Sequence, residues 1–223
     1  MDFWEARLDY FGGDSLAFHR FWLLSAMGQK SFKMLNLQKR INGVDENKEY
    51  LGTRISIRDK LLSQEFGELE KMYKNHPSCR LTFPNPNALN EMEFVVTPTE
   101  GMYHGGRFKF TISVPPEYNN VPPVVKCLTR VWHPNINEDG SICLSILRQN
   151  SLDDFGWLPT RRIRDVLMGL TSLFGDLIDF DDALNADAAK QYKTEPEKFK
   201  RKVTDYIYQF CEGNAGRGRY YGY

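Results

Sequence analysis

The chain has 223 residues, and 29 Lys plus Arg stand against 29 Asp plus Glu, so its formal net charge is zero. That balance excludes a polycationic nucleic-acid binder as the default, and 41 % hydrophobic residues exclude a chain disordered throughout. The length suits one large domain, or one domain with extensions, able to bury a core.

Cys79, Cys127, Cys143 and Cys211 are scattered and form no CxxC pair, which argues against a disulfide scaffold and against a structural zinc site. The apolar run from Phe18 to Met27 is short. It follows Asp2, Glu5, Asp9 and Asp14, where a signal peptide carries positive charge. No run of about 18 apolar residues occurs, as a membrane span requires. The expectation is a protein of a reducing compartment, cytoplasmic and/or nuclear, with no nucleic acid, no membrane and no metal among its partners.

Residues 1–52 show no sustained period and read as an N-terminal extension. Within it Met34-Leu35-Asn36-Leu37 is a small apolar island followed by Lys39 and Arg40. Such an island is either without role or, near 34–40, a docking peptide that folds on binding. Ser56-Ile57-Arg58-Asp59 reads as a capping box. It opens an amphipathic helix to about Tyr73, with Leu61, Leu62, Phe66, Leu69, Met72 and Tyr73 at helical spacing. Short extended runs follow at Arg80 to Phe83, Met92 to Thr97, Phe108 to Val114 and Val124 to Leu128. In the third, Phe108, Phe110, Ile112 and Val114 alternate with polar residues, as in a half-buried strand. Four short strands joined by turns predict an antiparallel meander.

Trp132 to Leu158 has loop chemistry. Thr160 is placed to cap a helix in which Ile163, Val166, Leu167, Leu170, Leu173, Phe174 and Leu177 form one apolar stripe. A third helix is expected near Leu184 and a last one from Pro196, with Phe199, Val203, Tyr206, Ile207 and Phe210 on one face. The fold class is α+β: an N-terminal helix, a four-stranded antiparallel meander, a long loop, then three helices. The core is expected over 53–212, with 213–223 a disordered tail.

The chemistry concentrates in Trp132-His133-Pro134-Asn135-Ile136-Asn137, followed by Glu138-Asp139-Gly140-Ser141-Ile142-Cys143-Leu144. A thiolate is the best nucleophile the chain offers. From the residues alone, Cys143 is either a structural thiol or a nucleophile, and His133 is open as the base of a Cys/His pair.

His-Pro-Asn with a Cys eight residues after the Asn, in Gly-x-Ile-Cys-Leu, resembles the ubiquitin-conjugating enzyme family. Tyr118-x-x-x-Pro122-Pro123 and Trp157-x-Pro159 match it too, so the resemblance spans about residues 54–212. It implies the ubiquitin-conjugating-enzyme fold, with Cys143 in an active-site loop. Cys143 would accept a ubiquitin-like modifier from an activating enzyme as a thioester, for attack by a substrate lysine. Asn135 would stabilise the oxyanion or hold the neighbouring loop, while His133 and Pro134 would be structural. Asp182, in Phe180-Asp181-Asp182-Ala183, would orient and desolvate the lysine. Two departures from the family pattern are Ala183, where a Pro usually follows that Asp, and Ser145, where an Asp is common. No cofactor is implied, since the activating enzyme consumes the ATP.

Ser56 to Leu62, Val121 to Thr129, Leu147 to Ser151 and Gly156 to Arg161 are similar to the neddylating branch, in particular to its second metazoan conjugating enzyme. That likeness implies a Nedd-type modifier, a heterodimeric activating enzyme, a RING ligase with a co-ligase, and a lysine on a cullin. Met34, Leu35 and Leu37 would form the docking peptide, and translation from Met34 would expose the N-terminal Met that the co-ligase prefers acetylated. The face of the first helix carrying Arg58, Lys60, Gln64 and Lys71 would dock the activating enzyme and ligase in turn. Asn120, Val121, Leu158 and Pro159 would meet the RING, and a polar Asn120 suggests selectivity among RING partners. The alternatives are a ubiquitin conjugator and a catalytically inactive binding module, although retention of Cys143 and Asn135 speaks against the latter.

Overall fold

The computed structural model describes residues 48–149, 155–175, 178–180 and 183–211. The chain divides into two compact units, the first ending at Gly52 and the second beginning at Thr53. Of the first, residues 48–52 are described and are helical; Met34, Leu35 and Leu37 lie outside the described residues, as does the tail 213–223. The second unit carries the four strands and the helices that follow them.

Its first helix, α1 (53–73), does not begin at Ser56: residues 53–55 are already helical. A Ser-x-x-Asp pattern marks a start only where the preceding residues leave the helix, and Thr53-Arg54-Ile55 do not. Leu62, Glu65, Leu69 and Tyr73 form the buried stripe, and the Tyr73 ring meets Phe94 edge-on at 5.3 Å.

Four strands follow in the order β1 (Cys79–Thr82), β2 (Glu91–Val96), β3 (Phe108–Ser113) and β4 (Val124–Cys127), each antiparallel to the next. Phe94 sits opposite Phe110, and Phe110 opposite Cys127. The period of two sends Met92, Phe94, Val96, Phe108, Phe110 and Ile112 into the core. Glu93 and Lys109, on the other face, pair at 2.9 Å. One face is thus packed and the other polar, as a meander in a two-layer α+β domain requires.

α2 (Ile163–Ser172) lies across the packed face, with Ile163, Val166, Leu167 and Leu170 fully buried. Its cap is Arg162 rather than Thr160: the Arg162 amide donates to the Asp165 carboxylate at 2.9 Å. The helix ends at Ser172, but the stripe outlasts it through Leu173 and Phe174, whose ring stacks on Phe108 at 4.2 Å. α3 (Ala186–Thr194) starts on the side chain of Asn185, which accepts from the Ala188 amide at 3.1 Å. α4 (Pro196–Phe210) opens on Pro196, at the first turn where a missing N–H costs nothing. Tyr192 and Phe199 join the two helices edge to face at 5.4 Å. Among the described residues no helix is long and apolar enough to cross a membrane.

Candidate active site

Between β4 and α2 the chain is shaped by two antiparallel bridges, His133 with Ile136 and Ile136 with Ile142. Gly140 makes the return possible. Its φ is +82°, and a Cβ there would stand 2.1 Å from the Cys127 carbonyl oxygen. Without one, the Gly140 carbonyl accepts from the Cys127 amide at 2.9 Å, joining the loop to the last strand. Asp139 closes the turn by accepting from the Ser141 amide and hydroxyl at 3.1 and 3.0 Å. Arg130 holds Glu138 at 2.6 Å, and Tyr206 of α4 donates to the same carboxylate at 3.1 Å, so its pKa lies below the usual range.

The chain then delivers Cys143. Its amide donates to the Asn135 carbonyl at 2.8 Å. Leu144 beside it is buried and packs at Gly169 of α2, where a Cβ would come within 3.0 Å of the Leu144 side chain. Cys143 itself is only half-buried. Cys79, Cys127 and Cys211 are buried free thiols whose pKa burial raises, that of Cys127 to about 12. Exposure therefore separates Cys143 from the three structural thiols.

His133 is fully buried, and both its ring nitrogens are engaged. Nδ1 accepts from the Asn135 amide at 2.9 Å, which leaves Nε2 to donate to the Leu173 carbonyl at 2.7 Å. Tyr103 and Phe174 flank the ring at 5.1 and 5.7 Å. Burial lowers its pKa to about 4 against the opposing hydrogen bond to Leu173, so the ring is neutral at pH 7. A histidine with both nitrogens committed to backbone cannot take a proton from Cys143. The Cys/His pair left open by the residues alone is excluded.

Asn135 uses its side chain on one partner: Nδ2 donates to the Asp179 carbonyl at 2.8 Å, and Oδ1 accepts from the Asp179 amide at 3.0 Å. Phe180 next to it stacks on Tyr192 at 3.9 Å, and the Asn185 amide donates to the Pro134 carbonyl at 2.7 Å. The turn His133-Pro134-Asn135 is thus fastened to the segment that follows α2 and to the start of α3. Asp182 belongs to that segment but lies outside the described residues.

A second polar cluster ties together the loops around Asn120 and Leu158. Glu65 of α1 accepts from the Tyr118 hydroxyl at 2.6 Å and from the Ile163 amide at 2.9 Å. Trp157 donates through Nε1 to the Asn119 carbonyl at 2.8 Å, and Asn119 donates from its side chain to the Pro159 carbonyl. Asn120, Leu158 and Pro159 are exposed and Val121 is half-buried, all on this cluster. Lys60, Gln64 and Lys71 are exposed on α1. Arg58 is not among them: it is buried, with its guanidinium on the Val114 carbonyl at 3.3 Å and on Asp59 at 2.8 Å. Positions 58 and 60 lie about 200° apart on a helix, so they cannot share a face.

Sequence reasoning missed Glu65 and Arg148. For Glu65 a signal existed, a carboxylate within the apolar stripe of α1. For Arg148, whose Nη2 lies 3.4 Å from Cys143 Sγ, none did. Among the described residues no group of His, Cys, Asp and Glu is arranged to hold a metal ion.

The model of the ubiquitin-conjugating enzyme family matches residues 62–207. The chain is 59 % identical over 180 residues to the NEDD8-conjugating enzyme ubc-12 of Caenorhabditis elegans, a match covering 80 % of this chain and 100 % of that one. It is 53 % identical over 159 residues to the human NEDD8-conjugating enzyme UBE2F, covering 71 % and 84 %. Against the Danio rerio protein of that name it is 51 % identical over 179 residues, covering 78 % and 95 %. The matched span runs from α1 through the meander and the Cys143 loop to α4, and the chain belongs to the ubiquitin-conjugating enzyme family.

Proposed function

We propose that this chain is a NEDD8-conjugating enzyme that accepts NEDD8 from its activating enzyme as a thioester on Cys143 and passes it to a substrate lysine. The observation that carries the mechanism is a half-buried cysteine whose nearby histidine is already committed to the backbone. A cysteine of that kind is poorly equipped to cleave an unactivated amide. It suits exchange with an existing thioester, where one sulfur replaces another at little cost. The relatives' names supply the modifier.

Asn135 holds the Asp179 segment in place, and its amide is the candidate donor to the oxyanion formed when the lysine attacks; a donor of this sort is worth about 3 kcal/mol. The lysine starts with a pKa of about 10.4 and must lose a proton. Asp182, in the segment fastened by Asn135, is assigned to orient and desolvate it. Lys60 is assigned to the activating-enzyme surface, and Asn120, Val121, Leu158 and Pro159 to the RING surface; the exposure of Lys60, Asn120, Leu158 and Pro159 and the bracing of the two loops support this. Met34, Leu35 and Leu37 are assigned to the docking peptide, a cullin lysine to the acceptor and a co-ligase to the partners. The free cysteines fit a cytoplasmic or nuclear setting.

The test is a charging reaction with ATP and either the NEDD8 or the ubiquitin activating enzyme with its own modifier, read on a non-reducing gel. A thiol-sensitive band with the NEDD8 set alone, lost in Cys143→Ala, is expected. A band with the ubiquitin set alone would overturn the modifier, and no band with either would make the chain a binding module.

A further inference from the structure

We propose that Arg148 is a catalytic residue of the transfer step, holding the charge that builds on Cys143 Sγ as the thioester breaks. The inference rests on Cys143 carrying the thioester. Arg148 Nη2 stands 3.4 Å from Sγ, within range of an N–H to sulfur hydrogen bond. The placement is built into the backbone on both sides. A short 3-10 turn, Ser145–Leu147, ends at Arg148, whose amide donates to the Ser145 carbonyl at 2.9 Å. Its own carbonyl accepts from the Trp157 amide at 2.8 Å, and Trp157 is buried. The residue two after Cys143 in the same turn is the neutral Ser145.

In the transfer, the lysine nitrogen attacks the thioester carbonyl. The N–C bond forms and the C–S bond breaks, with its electron pair leaving on Sγ. The surplus proton of the amine passes to water, and the thiolate regains one from water. The sulfur moves from no formal charge in the thioester to a full negative charge as it departs. A guanidinium carries its charge at every working pH, so its attraction grows as the bond breaks. In loading the resting thiol first loses its proton, which the guanidinium favours, and the anionic sulfur then gives up charge as it attacks, which the guanidinium opposes, so the two effects partly cancel. The contact therefore favours discharge more than loading, an asymmetry that a purely structural arginine would not produce.

The experiment uses the full chain as wild type, Cys143→Ala, Arg148→Gln and Arg148→Lys. Each is charged with NEDD8 by its activating enzyme, the charging is quenched, and the thioester is chased with free lysine over a range of concentrations. Arg148→Gln is expected to discharge about tenfold more slowly, through kcat with KM for lysine unchanged, while loading changes less than about threefold. Arg148→Lys, which keeps the charge, is expected within about threefold of wild type in both steps. Discharge by Arg148→Gln within twofold of wild type would overturn the inference and leave the Cys143 reading standing. Equal losses in loading and discharge would also overturn it, because they would mark a structural role. If Arg148→Gln melts lower than wild type, Arg148→Lys decides, with retained discharge supporting the inference and lost discharge overturning it. If wild type carries no modifier while Cys143→Ala behaves identically, the Cys143 reading and this inference fall together.

Discussion

Two buried polar clusters hold the loops of this domain, and they do so with opposite electrostatics. Around His133 the brace is a neutral ring that meets two backbone groups, the Asn135 amide and the Leu173 carbonyl. Around Glu65 it is a carboxylate that meets a hydroxyl and an amide, and burial raises its pKa despite both hydrogen bonds. A neutral brace is stable at pH 7 without desolvating a charge; a carboxylate brace carries that penalty and recovers part of it from its donors. The active-site turn rests on the first kind. The loops assigned to the ligase rest on the second, so changes of charge should reach the ligase side first.

The largest expected effect is on the neutral brace. His133→Ala removes a fully buried ring and leaves the Asn135 amide and the Leu173 carbonyl without their partner, at about 3–5 kcal/mol. For a domain of this size the melting temperature should fall by roughly 10 °C in calorimetry.

Acid probes the same brace. Unfolded histidine protonates below pH about 6.5, whereas burial holds folded His133 at about 4. Between these values the unfolded state binds the extra proton. The stability is therefore present above the unfolded value and is lost as pH falls through the folded one, by roughly 3 kcal/mol. Glu65 works the other way: its raised folded pKa contributes stability at low pH that is lost as pH rises through that value. Urea titrations of wild type and His133→Gln at pH 7 and pH 4.5 should show the gap between them narrowing in acid. An unchanged gap would mean that His133 is not the group responsible.

Glu65 sharpens the comparison by splitting charge from contact. Glu65→Ala strands the Tyr118 hydroxyl and the Ile163 amide and should cost about 2–3 kcal/mol in chemical denaturation. Glu65→Gln keeps an acceptor and removes the desolvated charge, so its cost should stay under about 1 kcal/mol. Equal losses would show that the charge itself is needed. Among the variants that delete a hydrogen bond the smallest effect is expected from Trp157→Phe, which loses the Nε1 bond to the Asn119 carbonyl and keeps most of the packing, at about 1 kcal/mol by melting.

The parts of the fold legible in the sequence were those fixed by local chemistry. The alternation in Phe108-Lys109-Phe110-Thr111-Ile112 and the Pro at the head of α4 each act within a few residues, and both elements appear where that chemistry places them. The boundaries of α1 and α2 were misplaced because patterns do not register where a helix stops being one. Ser56 and Asp59 look the same inside a helix as at its edge, and Leu173 and Phe174 continue an apolar stripe in a turn. Within the site, the motif exposed Cys143, His133 and Asn135. The partners did not show: the Ile163 amide lies 98 residues from Glu65, and Arg148 is one of many surface arginines until the turn after Cys143 is folded. Arg58 illustrates the reverse, a charge that reads as solvated and is buried against the Val114 carbonyl.

The close approach at Gly140 has a consequence for mutational tolerance. Every other amino acid would place at least a Cβ within 2.1 Å of the Cys127 carbonyl oxygen, in a backbone conformation that side chains disfavour. A saturation library across 138–143, selected on folding alone, should accept many residues at Asp139 and Ser141, and accept changes at Cys143 as well. It should return only glycine at 140. The shape of the loop and the chemistry it presents are therefore free to vary independently, and sequence drift at the nucleophile would leave the glycine behind as the record of the loop.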